Sequence, residues 1–168
     1  LHLPRPDTPF VVGVDASLHG LGAALWQVVD GVRHYIVFAS KSLSGAQRNY
    51  SANKRELLGV LFAFRRFRHY LQGRRFELQS DHQSLTWLLR THSGKSVIED
   101  WLAEVVSMSF DFVHVPGRQN IIPDYLSRLY PAFYWEAGVG KVRTRQRVAV
   151  AASAPLEAPM VLNDQPVQ

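Results

Sequence analysis

Residues 10–39, FVVGVDASLHGLGAALWQVVDGVRHYIVFA, decide the architecture. Phe10 to Ser17 is a valine-rich run ending in an acid and small residues, Leu21 to Val28 is a second apolar run, and Arg33 to Ala39 is a third. HGLG separates the first two and Val29, Asp30 and Gly31 separate the next, so turn chemistry joins three strands into an antiparallel meander. Three such strands make half a sheet.

Downstream the pattern changes period. From Ala52 to Leu71, apolar Leu57, Val60, Leu61, Phe64, Phe67 and Leu71 recur at helical spacing until Gly73 ends the run, which predicts a long helix. Asn53 and Glu56, three residues apart, read as its capping pair, with Glu56 in the first turn. Phe76 to Ser80 predicts a fourth strand and Gln83 to Leu89 a short helix, with THSGK a loop after it. Ser96 and Glu99 form a capping box before an amphipathic helix carrying Ile98, Trp101, Leu102 and Val105. Phe110 to Val115 is the fifth strand, PGRQN a loop, and Pro123 suits the first position of a last helix holding Asp124, Leu126 and Leu129. Beyond Pro131 the order dissolves, and residues 132–168, basic and then rich in alanine, valine and proline, read as linker or tail; VAVAA is the one stretch there with strand or helix character.

Four carboxylates sit at the edges of these elements: Asp15, Glu56, Asp81 and Asp124. Alone, each has an ordinary explanation in a turn or a helix start. In an open mixed sheet, however, functional groups gather beyond the carboxyl ends of the central strands, and Asp15 and Asp81 both lie at such ends. First-turn acids on the following helices reach the same rim. Four acids converging there repel one another unless divalent cations lie between them, which points to metal-assisted phosphoryl chemistry.

Composition narrows the setting. The 168 residues, 46% hydrophobic, suit one domain with a real core, and a net charge of +5 nudges toward a polyanionic partner. There is no cysteine, which excludes disulfides and thiolate metal sites and favours magnesium or manganese over structural zinc. No apolar run is long enough to span a bilayer, and LHLPRPDTPF lacks the form of a signal peptide, so an intracellular domain is expected.

Several motifs at fixed spacing carry a resemblance: D-A-S, N-Y-S-x-x-x-x-E, S-D-H-x-x-L, H-x-P-G-x-x-N and D-x-L-S-R, within FASKSLSGAQRNYSANKRELL, FRHYLQGRRFELQSDHQSLTWLL and FVHVPGRQNIIPDYLSRL. Over about residues 7 to 130 the chain resembles the ribonuclease H domain of Gypsy-type long-terminal-repeat retrotransposon polyproteins. The resemblance implies an α/β fold of the ribonuclease H type, a five-stranded mixed sheet with three antiparallel strands followed by two parallel ones, flanked by helices. It implies that residues 10–131 form that domain and that residues 1–9 connect it to an upstream polymerase region. Asp15, Glu56, Asp81 and Asp124 would be its catalytic acids, binding two magnesium ions, or manganese in their place. The implied reaction hydrolyses the RNA strand of an RNA:DNA hybrid and leaves a 3'-hydroxyl and a 5'-phosphate. A reverse transcriptase upstream and an integrase downstream are the implied partners within a polyprotein, with no membrane, in the cytoplasm or in virus-like particles.

Substrate contacts follow less directly. Asn53 and Gln83 match positions that touch the hybrid in related enzymes, Ser17 and Ser51 are candidate phosphate or hydroxyl ligands, and Arg118 is a candidate substrate-binding cation; capping and turns are the ordinary roles of such residues. Arg65, Arg66, Arg68, Arg74 and Arg75 divide between phosphate contacts and a solvated helix face. His82 is expected to hydrogen-bond rather than ligate metal, and Trp87 and Trp101 are expected in the core. Related enzymes carry a loop histidine at a place held here by Val115, and the neighbouring His114 should point elsewhere. With only THSGK between the two middle helices, weak hybrid binding is expected. Two alternatives stand beside the enzyme: a non-catalytic tether or nucleic-acid-binding module on the same fold, and a resolvase or transposase core acting on DNA.

Overall fold

The computed structural model describes residues 1–85 and 97–129. Strands β1 (Phe10–Ala16), β2 (Gly20–Val29) and β3 (Val32–Ser42) form the antiparallel meander. Asp30 and Gly31, both at positive φ, close the β2–β3 turn, as an Asp-Gly pair does in a two-residue hairpin. Helices α1 (Gly45–Arg48), α2 (Ala52–Arg66) and α3 (Arg68–Leu71) lead to β4 (Phe76–Ser80); α4 (Val97–Val106), β5 (Phe110–His114), a 3-10 turn (Gly117–Gln119) and α5 (Ile121–Ser127) complete the described chain. The sheet order is β3-β2-β1-β4-β5, with β4 parallel to both β1 and β5. The expected mixed sheet is therefore present.

Strand parity divides the core between the two faces. Val12, Val14, Leu21, Ala23 and Leu25 point to one face and bury against Leu57, Val60, Leu61 and Phe64 of α2, with Leu102 and Val105 of α4 beside them. Phe64 meets Phe76 and Phe110 edge to face at 5.1 and 5.3 Å, which locks α2 over the parallel half of the sheet. On the other face Val11, Ala24 and Trp26 form a smaller cluster with Tyr35 and Ile122, and α5 lies there against β1 and β2.

Several boundaries differ from expectation, each for a local reason. The helix expected over Ala52–Leu71 is broken at Phe67, whose φ of −101° and ψ of 10° separate α2 from α3. Ser51, not Asn53, caps α2, accepting from Lys54 N at 3.4 Å, and Glu56 falls beyond the first turn. Pro123 is the third residue of α5 rather than its first, because the helix begins at Ile121 after Asn120. A short helix not foreseen, α1, carries a complete Ser44–Gln47 capping box, a signal legible in S-G-A-Q. Buried Gln27 donates to the Arg5 and Thr8 carbonyls at 2.8 and 2.7 Å and accepts from Arg5 N, so the first residues are tied to the meander. Most of the helix expected over residues 83–89, Trp87, Ser96 and residues 130–168 lie outside the described residues. No helix among the described residues is long and apolar enough to cross a membrane.

Candidate active site

The parallel register does the first piece of work. Gly13 of β1 pairs with Gln79 of β4, so two residues further on Asp15 and Asp81 leave the carboxyl ends of neighbouring strands side by side. Strands in a sheet run about 4.8 Å apart, which sets these two acids into each other's field. Helix α2 brings Glu56 to the same end, buried at 5% exposure. Its Oε1 lies 3.9 Å from His82 Nδ1, while its Oε2 is buried with no hydrogen-bond partner.

The electrostatics follow from that placement. Burial, then repulsion from Asp15 and Asp81, push the Glu56 carboxyl up to about 8, against a weaker pull from Arg55 and from the Ala16 backbone hydrogen bond. Asp15 is raised chiefly by burial; a hydrogen bond from Ser127 opposes this, and Asp81 and Asp124 add to it. Asp15 thus lies in the field of the other three acids.

Asp124 arrives by a route the sequence did not make plain. Helix α5 lies so close to the sheet that its backbone touches the strands: a methyl added at Gly22 would sit 2.1 Å from the Pro123 carbonyl and 2.5 Å from Ser127 N, and one at Gly20 would sit 2.7 Å from the Ser127 carbonyl. Glycines two apart on one strand face are the local mark of such an approach. Asn120, buried, donates to the Val14 carbonyl at 2.9 Å and anchors the start of the helix one residue from Asp15. Ser127, fully buried, places its hydroxyl between the Asp15 carboxylate and the Asp124 carbonyl. Both residues stand in the quoted motifs, where nothing local marks these long-range partners. On the outer side Asp124 Oδ1 accepts from Arg128 Nε at 2.6 Å.

The remaining candidates separate. Asn53 accepts from Ser84 Oγ at 2.8 Å and lies 3.2 Å from His82 Nε2, so it links the start of α2 to the segment after Asp81 and is not the cap. Ser17 is buried and committed: it donates to the Ser127 carbonyl at 2.7 Å and accepts from His19 N and Gly20 N within the β1–β2 turn. Ser51 is spent as the α2 cap, while Gln83 and Arg118 are exposed. Arg65 and Arg75 hold Glu104 and Asp111 in surface pairs, and Arg74 donates to the Pro6 carbonyl. Val115 is buried, whereas His114 is exposed with Nε2 3.0 Å from the Asp81 carbonyl. Trp101 packs against the main core, as expected.

Oxygen donors suit a hard divalent ion, and the partnerless Glu56 Oε2 is an atom that a cation would satisfy. In donor chemistry the four acids fit. Among the described residues no three acidic or imidazole side chains are drawn together tightly enough to hold an ion as they stand. Asp15 is engaged by Ser127 and Asp124 by Arg128.

Residues 5–107 match the family described as the RNase H-like domain found in reverse transcriptase. The chain is 40% identical over 129 residues to the retrovirus-related Pol polyprotein from transposon 297 of Drosophila melanogaster, covering 77% of this chain and 12% of that one. It is 32% identical over 129 residues to the corresponding polyprotein from transposon gypsy of the same fly, covering 76% of this chain and 12% of the relative. The fold is similar to LC11-RNase H1, solved in complex with an RNA/DNA hybrid, at a TM-score of 0.53 and 13% identity over 70% of this chain and 92% of that one. The chain spans about an eighth of the length of these polyproteins, 12% in both cases.

Proposed function

The chain belongs to the family of RNase H-like domains found in reverse transcriptases, and on that premise we propose that it is a metal-dependent ribonuclease H. Its substrate is the RNA strand of an RNA:DNA hybrid, cut endonucleolytically to a 3'-hydroxyl and a 5'-phosphate during reverse transcription of a Gypsy-type retrotransposon. One observation carries this reading: Asp15 and Asp81 end adjacent parallel strands while the buried Glu56 beside them is pushed up to about 8 by burial and by those two acids.

Asp15, Glu56, Asp81 and Asp124 would hold two magnesium or manganese ions. When bound, such ions activate water for in-line attack and offset charge on the departing 3'-oxygen. The chain's own residues supply position. Ser127 fixes the Asp15 carboxylate, Asn120 fixes the helix that bears Asp124, and the Asn53–Ser84 bond holds the exposed segment with Gln83 beside the acids. No side chain is needed as nucleophile. Asn53, Gln83 and Arg118 are exposed and accessible to a duplex, whereas Ser17 and Ser51 act through the scaffold.

In this proposal residues 1–9 connect to an upstream polymerase, residues 10–131 form the nuclease domain, and residues 132–168 lead toward an integrase. The place of action is the cytoplasm or a virus-like particle. The test is cleavage of an end-labelled hybrid with magnesium or manganese by the parent and by Asp81→Asn. Metal-dependent internal cuts lost in the variant are expected; a parent that binds the hybrid without cutting it would instead leave the non-catalytic module.

A further inference from the structure

Arg128, the last residue of the D-x-L-S-R motif, is a cation on the acid rim. Its Nε lies 2.6 Å from Asp124 Oδ1 one helical turn earlier. An exposed pair of this spacing on an ordinary helix is worth little. Here the pair does not stand alone. The guanidinium is held more firmly charged by Asp124 first and, more weakly, by Asp15 and Asp81, so it faces three of the four acids. Both ends of the pair are partly open to solvent, at 61% and 43% side-chain exposure, so the contact can break without unfolding α5. Asp124 is also the acid on the last element of the described chain, placed through the glycine contacts of β2 and the Asn120 anchor.

We propose that Arg128 is a built-in competitor for the Asp124 carboxylate, which a divalent ion must displace before that carboxylate joins the other three. The inference rests on the proposed metal-dependent function and deepens it. In the metal-free protein Arg128 supplies a positive charge that limits repulsion among the acids. When a cation enters, that charge becomes unfavourable and the guanidinium swings out toward solvent. The residue therefore positions Asp124 and sets metal affinity; it does not act on substrate.

The experiment is calorimetric titration of the full chain with magnesium chloride and, separately, manganese chloride, with no nucleic acid present. Arg128→Gln should bind metal roughly three- to tenfold more tightly than the parent, since a competing unit charge is removed near the site. Arg128→Lys, which keeps the charge, should stay within about twofold of the parent. On an Asp124→Asn background the gain from Arg128→Gln should shrink to less than about twofold, since the contested carboxylate is gone. Unchanged or weaker binding by Arg128→Gln, or an undiminished gain on the Asp124→Asn background, overturns the inference while leaving the nuclease reading intact. A parent that binds neither ion overturns both.

Discussion

Replacing Glu56 with glutamine should flatten the fall of stability with rising pH. In the metal-free fold the Glu56 carboxyl is pushed up to about 8 from an ordinary 4.5. Below the ordinary value both folded and unfolded chains hold the proton. Above it the unfolded chain releases a proton that the folded site still keeps, so stability falls as pH rises through that window. At about pH 7.5 the accumulated loss is on the order of 4 kcal/mol, from about 1.4 kcal/mol for each unit of separation still titrating. Asp15, also raised, acts in the same direction. Glutamine cannot ionise, and it sets an amide where Oε2 already lacks a partner, at a cost of about 1–3 kcal/mol. The variant should therefore be slightly less stable than the parent near pH 5 and more stable above neutrality. Glu104 and Asp111, lowered by Arg65 and Arg75, lose their small contributions only as pH falls into the carboxylate range, outside this window. Urea unfolding in chelator across this range measures the effect. A parent whose stability is flat or rises from about pH 5 to 8, or a Glu56→Gln variant with the parent's slope, would refute the reasoning.

Gly22→Ala forces a methyl to within 2.1 Å of the Pro123 carbonyl, where only backbone can yield. It should lift α5 from β2, lower stability by about 2–4 kcal/mol in a chemical melt, and reduce hybrid cleavage at least about tenfold, with the circular dichroism of the sheet retained. Ser127→Ala removes the hydrogen bond that restrains the upward shift of Asp15. It should raise the Asp15 titration further, seen by carboxyl-carbon NMR, and cost about 1–3 kcal/mol in a thermal melt; an unmoved Asp15 would contradict its assigned partner.

Much of this fold was legible because its determinants are local. The meander is written in three apolar runs and an Asp-Gly turn, and α2 in a repeat of leucines and phenylalanines. The misplacements were local too. Asn53 and Glu56 satisfy a capping pattern, yet Ser51 two residues earlier makes the cap, which frees Asn53 to bind Ser84. Pro123 is tolerated anywhere in the first turn, so its presence could not say which residue begins α5. The roles of Gly20 and Gly22 were open to inference from their spacing. Those of Ser127, Asn120 and Arg128 were not.

From the sequence alone come most of the elements, their order and the places of Asp15, Asp81 and Asp124 at element ends, since turn chemistry and side-chain periodicity act over a few residues. Only the tertiary structure decided what each acid meets. Ser127 reaches Asp15 across 112 positions of chain, Ser17 reaches Ser127 across 110 and Asn120 reaches Val14 across 106. Such contacts depend on how closely one helix can approach two strands, and that distance is set by glycines and packed side chains acting together. The same closeness buries Asp15 in the field of the other three acids and brings Arg128 to the rim.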